Sequence, residues 1–143
     1  KPLMDALKNF FKKGASSLNI DMAFLYGSFA RGLQKDGSDV DIGIVFKGQL
    51  PEEKVFDIIS EISLALTYEL KKEINIVSVN LDNWRPMLYY NIIVLGVPIF
   101  IGDEDDCLSV RWEAIRQMED FSIMGFAWQI AAARASLRRL EHG

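Results

Sequence analysis

The sequence predicts an α/β (α+β) fold, and three observations carry that expectation. Stretches with apolar residues at helical spacing alternate with short apolar runs of strand length. No internal repeat or low-complexity linker interrupts the alternation. The chain has 143 residues, 50% of them hydrophobic and 25% charged, which is enough for one core in one compact domain spanning 1–143.

The elements follow in order. Leu3, Leu7, Phe10 and Phe11 recur at helical spacing before Gly14, which predicts an amphipathic helix and its stop. A strand is expected over about 22–26, and a second opens at Asp39 and Asp41 and runs through Val40, Ile42, Ile44 and Val45. Pro51, Glu52 and Glu53 read as a helix start, with Val55, Ile58, Ile59, Ile62, Leu66 and Leu70 as its buried stripe. A third strand is expected over 74–79. Asp82 or Asn83 could cap a short helix whose pattern passes Leu88, Ile92 and Leu95 and ends at Gly96. Residues 97–101 read as a last strand. Four acids at 103–106 then stand before or within the first turn of a long C-terminal helix with Arg134, Arg138 and Arg139 near its end, a charge order that suits the helix dipole.

Composition narrows the setting. A net charge of −4 offers no electrostatic footprint for gripping a long polynucleotide. The most apolar stretch, 89–101, is too short for a membrane span and is broken by Asn91, Gly96 and Pro98. No basic-apolar leader pattern is seen. The single Cys107 excludes an internal disulfide and favours a reducing, cytoplasmic setting, while the lone His142 at the C-terminus makes histidine chemistry an unattractive reading.

The most informative segment is 27–41. A Gly27-Ser28 turn follows an apolar run, and after ten further residues comes Asp39-Val40-Asp41. Alternate strand residues share a face, so Asp39 and Asp41 point together while Val40, Ile42 and Ile44 point into the core. Two carboxylates side by side repel unless a cation joins them, and hard oxygen ligands beside a phosphate-sized turn suit Mg²⁺ carried by a nucleotide. Gly27 lets backbone approach a phosphate, Ser28 adds a hydroxyl and an N–H, and a helix starting here would aim its positive end at the anion. Arg31 would steady a phosphate or pair with Asp36 or Asp39. Ser38, next to Asp39, joins the nucleotide-side set.

This pattern resembles the signature of the DNA polymerase β-like nucleotidyltransferases, and the short chain resembles their minimal (MNT) branch. Residues 73–100, ending Leu95-Gly96-Val97-Pro98-Ile99-Phe100, carry the resemblance further, so that it spans about 20–101. It implies a nucleotidyltransferase fold with a short mixed sheet, flanking helices and a helical segment over about 103–141. It also implies Mg²⁺ or Mn²⁺ on Asp39 and Asp41, and transfer of a nucleoside monophosphate, AMP from ATP, to a hydroxyl. In the minimal branch the acceptor is often a tyrosine of a HEPN-type toxin.

The third strand departs from that pattern. Relatives normally carry a third acid there, and the matching position is Asn75, whose amide cannot take a proton from an acceptor hydroxyl. Glu73, two residues earlier on the same face, could restore the charge. The alternative reading is therefore a catalytically weakened nucleotide-binding or interaction module. An antibiotic-modifying enzyme is disfavoured, because such enzymes usually add a substrate-binding domain. In the tail, Phe121, Met124, Trp128, Ala131 and Ala135 form one apolar stripe, and Phe126, Ile130, Ala133 and Leu137 belong to another. Either the helix breaks near Gly125 and packs both stripes internally, or one stripe is an interface, a homodimer anchored by Phe121 and Trp128 among the options.

Overall fold

A computed structural model of the chain describes residues 2–32 and 39–142. Helix α1 (Pro2–Gly14) leads into β1 (Ile20–Tyr26), followed by β2 (Val40–Phe46), α2 (Glu52–Leu70), β3 (Ile74–Ser78), α3 (Pro86–Ile93), β4 (Val97–Ile101) and α4 (Glu104–His142). The strands form one mixed sheet in the order β3-β2-β1-β4, with β1 antiparallel to both neighbours and β2 parallel to β3. That is the α+β arrangement expected.

Helices cover both faces of the sheet. On one, Val40, Ile42 and Ile44 of β2 pack with Leu7 and Phe11 of α1 and with Ile58, Ile62 and Leu66 of α2. On the other, Met22 and Phe24 of β1 meet Tyr89, Ile92 and Ile93 of α3 and Cys107 and Ala114 of α4. Burial on both sides explains why residues 22–26 of β1 read as a continuous apolar run rather than an alternation. Gly43 sits where α3 crosses β2, and a side chain there would collide with Ile92.

Several local expectations need correction. Residues 27–32 form turns, and no helix begins within them, although Arg31 N–H closes one helix-like turn onto Gly27 O at 3.2 Å. Neither Asp82 nor Asn83 caps α3; that helix begins at Pro86, and its N-cap position is Arg85, whose donor-only guanidinium cannot accept from the first-turn N–H groups. Asn80 Oδ1 instead accepts from Asp82 N–H at 3.0 Å. The α4 start does have a side-chain cap: Asp103 Oδ1 accepts from the N–H groups of Asp105 (2.8 Å) and Asp106 (3.3 Å). α4 then runs unbroken through Gly125 for 39 residues, and every residue from 121 to 141 is exposed. The internal-packing alternative for the tail is thereby excluded within this chain.

Candidate active site

The site is built where one end of β2 lies between β1 and β3. Antiparallel pairing puts Asp41 opposite Tyr26, the residue before Gly27, and parallel pairing puts it beside Asn75. One strand position further out, Val40 N–H donates to Glu73 O at 2.9 Å, which sets Asp39 next to Glu73. Four of the residues singled out from sequence, Asp39, Asp41, Glu73 and Asn75, are thus gathered at the starts of two adjacent strands, Asp39 and Glu73 immediately before them.

Asn75 links the two aspartates. Its side-chain N–H₂ donates to Asp39 Oδ2 at 3.2 Å and to Asp41 Oδ1 at 3.3 Å. With the amide turned the other way, its oxygen would face two carboxylates and repel them, so the donor orientation follows from the partners. The amide thereby supplies two donors where a third carboxylate would have added charge.

Glu73 is fully exposed, yet its carboxyl is held above the ordinary range, chiefly by a hydrogen bond with Asp39 and then by the Asp39 charge. Tyr26, half-buried, has its phenol pushed up by burial and by the Asp41 charge, against the opposing pull of Arg85. Tyr26 and Arg85 are members of this neighbourhood that sequence reading missed. Tyr26 reads as the end of a core strand, and nothing in the order of residues places Arg85 near it before the sheet is assembled.

Gly27 closes the arrangement. Its φ of +78° suits glycine, and a Cβ there would stand 2.5 Å from Asp41 Oδ2. The turn backbone therefore lies directly against one of the carboxylates, with Ser28 half-buried beside it and Arg31 exposed four residues on. Ser38 lies outside the described residues, as do Lys35 and Asp36.

The donor set fits a divalent ion in part. Asp39 and Asp41 are hard oxygen donors on one edge, but among the described residues no three His, Cys, Asp or Glu side chains converge as a metal-holding group. A magnesium ion held here would take its remaining ligands from phosphate and water, as that ion commonly does.

Comparison with known proteins agrees with the geometry. Residues 5–105 match the family described as "Polymerase beta, Nucleotidyltransferase". No curated protein matches in sequence. Among solved structures, a toxin–antitoxin complex with AMP-PNP is similar at 16% identity and a TM-score of 0.61, over 90% of this chain and 98% of that chain. The MntA–HepT toxin–antitoxin structure is similar at 14% identity and a TM-score of 0.63, over 90% and 98%. A complex of a tri-AMPylated Shewanella oneidensis HEPN toxin with its MNT antitoxin gives 14%, a TM-score of 0.58, and 93% and 98%. At these identities the likeness is one of fold. With most of its length matched to the family and its paired aspartates set against a glycine turn, this chain belongs to the polymerase β nucleotidyltransferase family and has the fold of the MNT antitoxins.

Proposed function

We propose that the chain transfers a nucleoside monophosphate, AMP from ATP, to a hydroxyl, and that the acceptor is a tyrosine of a HEPN-type toxin. The observation that carries this reading is the fit between the Gly27 turn and Asp41, which sets a backbone able to approach phosphate directly against a metal-binding carboxylate. Family membership supports the transfer, and the AMP-PNP and tri-AMPylated structures among similar folds support the nucleotide and the acceptor class.

In this reading Asp39 and Asp41 hold Mg²⁺, which when bound would neutralise phosphate charge. Gly27 and Ser28 offer backbone and hydroxyl to the phosphates. The acceptor oxygen attacks the α-phosphorus and the bond to pyrophosphate breaks, while the acceptor proton passes to a carboxylate. Asn75 cannot be that base. Glu73, an exposed carboxylate beside Asp39, can.

A second reading has its own support. Because Asn75 already donates to both aspartates, the pair is partly satisfied without a cation, as suits a domain that binds nucleotide and turns over slowly or not at all. Pyrophosphate release from ATP and Mg²⁺, measured with and without a HEPN-type protein, separates the two. Partner-dependent release with AMP recovered on a partner tyrosine is expected; tight Mg·ATP binding with no release under either condition would sink the transferase reading and leave the second.

A further inference from the structure

The exposed half of α4 carries an uncovered apolar seam. Within the body of the protein, Cys107, Val110, Ala114 and Gln117 are spaced by three and four residues and face the cluster that includes Tyr89 and Ile92 of α3. The same seam continues past that cover as Phe121, Met124, Trp128, Ala131 and Ala135, with Phe121 38%, Met124 62% and Trp128 72% exposed. A three-four repeat kept along one stripe is the pattern by which helices pack on helices, so its uncovered half calls for a further helix.

We infer that this helix is α4 of a second copy, running antiparallel. The seam is graded in size, bulky at 121–128 and small at 131–135. Two parallel copies in register would stack Trp128 on Trp128 and leave Ala131 facing Ala131 across a void, which close-packed interfaces do not tolerate. Reversing one copy sets Trp128 against Ala131 and Met124 against Ala135, each contact occurring twice as two-fold symmetry requires. The same register puts Phe121 under the Arg138 guanidinium and Asp120 opposite Arg139. Asp120 now binds Arg116 of its own helix at 2.8 Å and stays exposed enough to take a second cation. The contact from 121 to 138 extends about 27 Å along the helix. It leaves the stripe that includes Phe126, Ile130 and Leu137 uncovered, and it is independent of the activity proposed above.

The test exchanges knob and hole in the full chain, with association followed by sedimentation velocity and helicity by circular dichroism. Wild type should dimerise at micromolar concentration. Trp128→Ala, which leaves a hole, and Ala131→Trp, which sets two indoles in one place, should each weaken the dimer by about tenfold or more with helicity kept. The double variant restores a large residue opposite a small one and should return to within about threefold of wild type. A wild-type chain that stays monomeric at about 100 μM would overturn the inference, as would a double variant no better than the weaker single. A monomer that instead binds a HEPN-type protein through this seam counts against it equally.

Discussion

Gly27 and Asp41 are fitted to one another: the Cβ that any other residue would add at 27 comes within 2.5 Å of Asp41 Oδ2, and the φ of +78° is one that side chains resist. A side chain at 27 could be accommodated only if the Asp41 carboxylate rotated away, so the turn and the carboxylate are coupled.

Gly27→Ala should therefore act twice. The positive φ costs roughly 1–2 kcal/mol of stability, and the methyl displaces the Asp41 carboxylate. Chemical denaturation should show the first effect. Calorimetry with Mg·ATP should show the second as an affinity loss of tenfold or so, larger than the stability change alone explains in a protein still folded. Unchanged affinity would separate the turn from the nucleotide.

Replacing Asp39 and Asp41 together by Asn should remove Mg²⁺-dependent nucleotide binding and leave the fold intact, since neither side chain belongs to the apolar core. Without magnesium the variant should melt no lower than wild type, because two neighbouring negative charges have gone. Equal Mg·ATP affinity in variant and wild type would refute the metal assignment.

Asn75→Asp replaces two hydrogen bonds with a third negative charge. In the absence of metal it should lower the melting temperature, and Mg²⁺ should restore more of it than in wild type. If Glu73 is the base, Glu73→Gln should reduce transfer by about 10²-fold or more while Asn75→Asp changes little. If Asn75 marks the vacant base position, Asn75→Asp should accelerate transfer. Rates indifferent to both changes would remove β3 from the chemistry.

Asp21 predicts a pH dependence far from the site. This residue is 6% exposed, and burial, followed by the hydrogen bond and charge of Asp106 and by Asp103, raises its pKa from 3.8 to about 6 against the pull of Lys47. A carboxyl whose folded pKa is raised binds its proton more tightly in the folded state. Its favourable contribution is full below pH 3.8 and is lost as pH climbs through 6. Glu113, held down to about 2 chiefly by its hydrogen bond with Arg116, acts in the opposite sense and at lower pH. Melting curves at pH 4.5 and 7.5 should therefore differ less in Asp21→Asn than in wild type. An undiminished difference would place the dependence elsewhere, Glu73 included.

Local chemistry made much of this protein legible from its residues alone. The alternation of Val40, Ile42 and Ile44 with Asp39 and Asp41 is a property of any extended chain, so the core face and the carboxylate pair were both readable. The α2 stripe was equally plain, because helical spacing needs no partner to be seen. What tertiary structure decided was which separated residues meet. The parallel pairing of β2 with β3 set Asn75 between the aspartates as a donor to both, and the antiparallel pairing of β1 with β2 brought Tyr26 and Gly27 to Asp41. Within the described residues the segment after Gly27 stays in turns, and α3 opens at Pro86 with no Asp or Asn side chain capping it. The pattern of α4 showed two apolar stripes but not how far the body would cover them. That depended on the reach of α3, which ends its cover near Phe121 and leaves the rest of the seam exposed.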